Sequence, residues 1–65
     1  MKFALVEDSY NKNKIWIIKK YESGHIYYNQ RIDGKILYSF TRTTKKFLKS
    51  LFNKNEKALI IVNNF

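Results

Sequence analysis

The chain has 65 residues, with 13 Lys and Arg against five Asp and Glu, a formal net charge of +8, two glycines and neither proline nor cysteine. Without thiols, and with a single histidine, neither a disulfide framework nor a structural zinc centre is expected. Folding must rest on packing in a domain that buries only about 60% of the surface its unfolded chain exposes, so no deep pocket is expected. No run approaches the roughly 18 apolar residues of a membrane span, and the N-terminus alternates apolar and charged residues. The sequence therefore reads as one soluble, cytoplasmic domain over residues 1–65.

Lys2 to Glu7 reads as a first strand, ended by the polar turn formers Asp8 to Asn13. Lys14 to Tyr21, His25 to Arg31 and Lys35 to Phe40 follow as three strands rich in β-branched and aromatic residues, joined by turns at Glu22-Ser23-Gly24 and Ile32-Asp33-Gly34. Register is argued from the two-residue side-chain period. Three-residue loops closed by Gly24 and Gly34 pair Tyr21 with His25 and Arg31 with Lys35, and they separate the faces well. One face then carries Trp16, Ile18, Ile26, Tyr28, Ile36, Tyr38 and Phe40, with Lys20 and Gln30 as exceptions. The other carries Ile15, Ile17, Lys19, Tyr21, His25, Tyr27, Asn29, Arg31, Lys35, Leu37 and Ser39. A two-residue Asp33-Gly34 loop would pair Arg31 with Ile36 and mix polar with apolar residues, and is disfavoured for that reason.

From Thr43 or Thr44 to about Asn53 the period becomes helical, with Phe47, Leu48, Leu51 and Phe52 on one stripe. A threonine suits the N-cap, and Asn53 or Asn55 the C-terminal stop. Too short to persist alone, this helix should lie on the Trp16/Tyr28/Tyr38 face. Lys57 to Phe65, with the run Ala58 to Val62, reads as a last strand that can return antiparallel beside the first. An edge position, or the pairing of two subunits, fits that run equally well. The expected fold is α+β: a four-stranded antiparallel meander, one amphipathic helix on one sheet face, and a C-terminal fifth strand, in the order ββββαβ.

Nothing in this pattern suggests catalysis. Glu7-Asp8 is the sole adjacent carboxylate pair, and neighbours on a strand point to opposite faces. His25 follows a turn glycine with no ligand cluster, and the two glycines stand too far apart for a phosphate loop. The chain is read as a binding protein that needs no metal and no cofactor.

The polar sheet face is the better candidate. Lys19, Arg31 and Lys35 offer phosphate partners; Tyr21, His25 and Tyr27 offer flat groups for unstacked bases; Asn29 offers a base-edge reader. Arg42, Lys45, Lys46, Lys49 and Lys54 add a second basic group along the helix and its approach. Lysine outnumbers arginine 11 to 2, a usage that an AT-rich genome produces without any partner, so net charge argues for non-specific association with polyanions and not for a fold.

At Trp16, Tyr27-Tyr28, Asp33-Gly34-Lys35, Phe40 and Thr44-Lys45-Lys46 the chain looks somewhat like the N-terminal arm-binding domain of tyrosine recombinases of phages and mobile elements. In that family a three-stranded sheet followed by a helix lays its sheet into the DNA major groove. The likeness spans roughly residues 14 to 52 and departs from the family in the strands on either side. It implies Lys19, Tyr27, Asn29, Arg31 and Lys35 as the groove-facing set.

The sequence thus points to a small nucleic-acid-binding protein, of DNA or RNA, built on the tyrosine-bearing sheet face with helix lysines as phosphate contacts. The alternative is a phage-type inhibitor or adaptor that docks on an acidic surface of a host protein through Ile17, Tyr27 and Leu37. A homo-oligomer joined through the last strand is a third option.

Overall fold

Six strands and one helix make up the computed structural model, which describes residues 1–37, 39–55 and 60–63, with side chains described as far as residue 55. The strands are β1 (Lys2–Glu7), β2 (Lys14–Lys20), β3 (Ile26–Ile32), β4 (Lys35–Ile36), β5 (Thr41–Thr43) and β6 (Ile60–Asn63), and the helix α1 (Lys45–Lys54) lies between β5 and β6. All pairings are antiparallel, in the order β4-β3-β2-β1-β6, and β5 pairs with β3 beside β4. The class is α+β, as expected, with an additional short strand ahead of the helix. The expected placements of Tyr38, of Lys57 to Leu59 and of Asn64 and Phe65 lie outside the described residues.

The first hairpin follows the side-chain period. Tyr21 N–H donates to His25 O at 3.0 Å, Gly24 N–H donates to Tyr21 O at 2.9 Å, and Gly24 has φ +92°, a conformation that glycine adopts without the steric cost of a Cβ. Strand β3 then runs back along β2, pairing Lys19 with Tyr27, Ile18 with Tyr28 and Trp16 with Gln30.

The second hairpin departs from expectation. Arg31 pairs with Ile36 and Ile32 with Lys35, across a two-residue turn in which Asp33 (φ 53°) and Gly34 (φ 80°) are both left-handed. Asp-Gly is among the strongest signals for this tight turn because its backbone twist matches that of the flanking strands. Polarity sorting loses here because Lys35 and Ile36 sit exposed on a two-residue edge strand, where little burial energy enforces a face.

The expected strand from Lys35 to Phe40 is also interrupted. Between Ile36, opposite Arg31, and Thr41, opposite Tyr28, the edge chain spends residues 37–40 where β3 spends only Asn29 and Gln30. This bulge is stitched to β3 by Leu37 N–H donating to Gln30 O at 3.2 Å and by Asn29 Nδ2 donating to Leu37 O at 3.2 Å.

The core lies on one face only. Ala4, Ile18 and Ile26 from the sheet meet Leu48 and Leu51 from α1, with Trp16, Tyr28, Phe47 and Phe52 packed around them. Trp16 and Tyr28 ring centroids are 5.7 Å apart, and Phe47 stacks on Tyr28 at 4.9 Å, contacts worth about 0.5–1.5 kcal/mol each beyond area burial. Thr44 caps the helix by accepting from Phe47 N–H at 3.2 Å, which satisfies one of the donors a helix start leaves open.

Asp8 secures the far end of the β1–β2 connection. Its Oδ1 accepts from the N–H groups of Tyr10 and Asn11, and its Oδ2 accepts from Trp16 Nε1 at 3.1 Å, with Lys14 Nζ at 4.0 Å. Burial alone would raise the carboxyl pKa. The hydrogen bonds from Tyr10, Trp16 and Asn11 and the charge of Lys14 outweigh burial and hold it below its ordinary value. A depressed folded pKa contributes stability that is present above the unfolded value of about 3.9 and is lost as pH falls through the folded value. In thermal melts, Asp8→Asn is expected to be less stable than the parent at neutral pH, with the gap closing below about pH 4. Parallel melting curves across that range would count against this role.

Candidate nucleic-acid interface

The helix covers one sheet face and leaves the other to solvent, and the strand registers decide what that open face presents. Phe3 pairs with Lys19, Lys19 with Tyr27, and Tyr27 with Arg42. These four residues therefore form one continuous row across β1, β2, β3 and β5, spanning about 14 Å at the usual spacing of about 4.8 Å between strands. A second row, Glu7, Ile15, Arg31 and Ile36, crosses the same face four residues further along, roughly 13 Å away. Leu5, Ile17 and Asn29 lie between the two rows.

Arg42 reaches the row because the bulge before β5 resets the edge by two residues, so that Arg42 falls opposite Tyr27. It had been grouped by sequence with the helix lysines. Lys19 Nζ sits 3.8 Å from the centroid of the Phe40 ring, within cation–π range. Phe40 is accordingly on the open face, and the expectation that it packs under the helix is overturned. Ile36 is corrected in the same sense, since its partner Arg31 belongs to the open face.

Two of the expected site residues do not serve as proposed. Lys35 is opposite Ile32, one position out of phase with Arg31, so it belongs to the helix-side face at the sheet edge. Asn29 is on the open face but only 3% exposed. Its amide is spent on Leu37 O and on Gln30 N–H, the latter at 2.7 Å, so it anchors the bulge and presents no edge to a base.

The remaining residues stay accessible. Arg31 and Arg42 are exposed, and Tyr27 is half-buried. Tyr21 is 42% exposed, and its ring meets Tyr27 edge to face, centroids 5.5 Å apart at 88°. Tyr21, Ser23, His25 and Tyr27 line a shallow notch of about 300 Å³ at the β2–β3 hairpin end. Lys45, Lys46 and Lys49 are exposed on α1, in the layer behind the sheet, so they do not share a surface with this row.

Among the described strand residues Glu7 is the sole acid, and it stands in the second row, leaving the first row cationic and aromatic. The arrangement can bind a polyanion by charge and a planar ring by stacking. Among the described residues no group of His, Cys, Asp and Glu is placed to hold a metal ion, and no helix is long and apolar enough to cross a membrane. No family model, curated protein or solved structure matches the chain, so the functional reading rests on this geometry.

Phe3 and Phe40 were missed as members of the face. Phe3 could have been found by extending the two-residue period into the first strand once that strand was paired with the second. Phe40 was placed on the wrong face because a three-residue loop was preferred to the two-residue Asp33-Gly34 turn, and a one-residue difference in loop length moves every following edge residue to the other face.

Proposed function

We propose that this chain is a small nucleic-acid-binding protein that engages its ligand on the open sheet face. The observation that carries this reading is the Phe3, Lys19, Tyr27, Arg42 row, in which aromatic and cationic side chains alternate on adjacent strands. Cations separated by flat rings suit a ligand whose phosphates and bases alternate along its length. Arg31, in the second row, supplies a further phosphate contact. Specificity for base sequence is modest, because Asn29 is engaged within the fold and base-edge readers are few.

Fluorescence anisotropy with labelled DNA and RNA across a salt series tests the surface. Arg42→Ala is expected to weaken binding about 5–10-fold and to reduce the slope of log affinity against log salt by about 1, since one phosphate contact is lost. Tyr27→Ala should weaken binding by about 1–3 kcal/mol with the slope retained, as stacking carries no counterion release. Lys35→Ala, on the other face, should change neither. Equal effects of Arg42→Ala and Lys35→Ala would show that overall charge, and not this row, does the binding.

A second reading draws on the apolar part of the same face. Leu5 and Ile36 are 37% and 52% exposed, beside half-buried Ile15 and Ile17, a grouping that also suits an inhibitor or adaptor docking on an acidic protein. Such a complex would depend on Ile17 and Ile36, which takes the place expected for Leu37, and would lose less affinity with salt than phosphate binding does.

A further inference from the structure

Resting on the nucleic-acid reading, we infer that the notch at the β2–β3 hairpin is a receptor for one unstacked base, which makes the ligand single-stranded. The Tyr21 and Tyr27 rings stand at 88° with centroids 5.5 Å apart, forming two walls of a corner. A planar heterocycle laid flat on either wall turns its edge toward the other, the two geometries aromatic rings prefer. Within a duplex both faces of a base pair are covered by its neighbours, so neither tyrosine can be used until a base leaves the stack.

The other two residues of the notch supply polar groups. Ser23 Oγ accepts only a long 3.5 Å bond from His25 N–H, which leaves its hydroxyl proton and remaining lone pair for a base edge. His25 adds an exposed ring that can stack or hydrogen-bond. The corner is held by the hairpin itself, through the Tyr21 N–H to His25 O bond and the Gly24 N–H to Tyr21 O bond.

Position along the sheet ties the notch to the cationic row. Tyr27 belongs to both, and its cross-strand neighbours are Lys19 on one side and Arg42 on the other. A nucleotide whose base enters the notch therefore has a cation on each side of the tyrosine for the phosphates that precede and follow it. Tyr21 packs edge to face on Tyr27 and still leaves 42% of its surface exposed for such a ligand.

The test uses the full chain with single strands of DNA and of RNA carrying 2-aminopurine, and with duplexes of the same sequences, followed by anisotropy and by 2-aminopurine emission. Single strands are expected to bind at least tenfold tighter than duplexes, with quenched emission. Tyr21→Ala should abolish the quenching and the preference while changing duplex affinity less than twofold, and Tyr21→Phe should retain both. Comparison of the DNA and RNA arms identifies which backbone is favoured. If duplexes bind as tightly as single strands, and Tyr21→Ala is silent while Arg42→Ala weakens both, the surface binds nucleic acid and the notch inference is overturned. If no oligonucleotide binds near physiological salt, the nucleic-acid reading itself fails and the notch inference with it.

Discussion

Ile18→Ala is expected to leave this domain largely unfolded at room temperature. Ile18 is 0% exposed, pairs with Ala4 on one side and Tyr28 on the other, and belongs to the cluster with Ile26, Leu48 and Leu51. Truncating a fully buried isoleucine costs about 2–5 kcal/mol, because the transfer energy of the lost methylenes is joined by the cavity they leave. A single core in a domain below about 70–80 residues rarely supplies more than about 3–5 kcal/mol in total. Ile18→Val, which removes one methylene, should cost only about 1 kcal/mol and remain folded. Urea titration followed by the fluorescence of Trp16, the one tryptophan in the chain, measures both. A cost below about 1 kcal/mol for the alanine variant would mean that the site collapses around the loss, and that the helix contributes little to this core.

How much of this architecture was legible depends on which force decided each element. Where burial decides, the side-chain period was a sufficient guide: Trp16, Ile18, Ile26 and Tyr28 share the helix face, the Tyr21/His25 hairpin closes as expected, and Phe47, Leu48, Leu51 and Phe52 form the helix stripe. Thr44 and Asn55 cap the helix as their side chains suggest. Where burial is weak, the same guide failed. At the β4 edge, exposed Lys35 and Ile36 place no premium on keeping polar and apolar faces apart, so the backbone preference of Asp33-Gly34 took over. That single change of loop length reversed the faces of Lys35 and Ile36 and, by the same two-residue period, turned Phe40 and Arg42 to the open face, while the bulge that follows moved the edge along by two residues and set Arg42 opposite Tyr27.

For the candidate site the consequence is a substitution of members. Lys19, Tyr21, His25, Tyr27 and Arg31 were legible because β2 and β3 are held in register by the core on their other face. Lys35 and Asn29 were lost from the set, and Arg42, expected beside the helix lysines, joined the sheet face through the edge register. Buried polarity is the hardest feature to read from a sequence, since Asn29 looks like an exposed strand residue and Asn55 like an ordinary cap until their partners are known.

Asn55 shows how much such a residue can matter, and its replacement by leucine is expected to cost about 2–3 kcal/mol. The side chain is 2% exposed. Its Oδ1 accepts from Ser9 N–H at 2.6 Å, 46 positions away in sequence, and its Nδ2 donates to Leu51 O at 2.8 Å. One amide thus ties the β1–β2 connection to the C-terminus of the helix, and through Asp8 to the ring of Trp16. Leucine has a similar size but cannot replace either bond, so Ser9 N–H loses its acceptor in a part-buried setting, which carries a desolvation cost larger than the bond's net value. The measurement is paired: urea midpoints give the energy, and amide hydrogen exchange at Ser9 locates it. Exchange at Ser9 should accelerate beyond what global destabilisation explains, because the helix end and the loop can then part without unfolding the sheet. A full loss of stability with Ser9 exchange still tracking global unfolding would place the cost in the helix cap alone, and would remove Asn55 as the link between helix and loop.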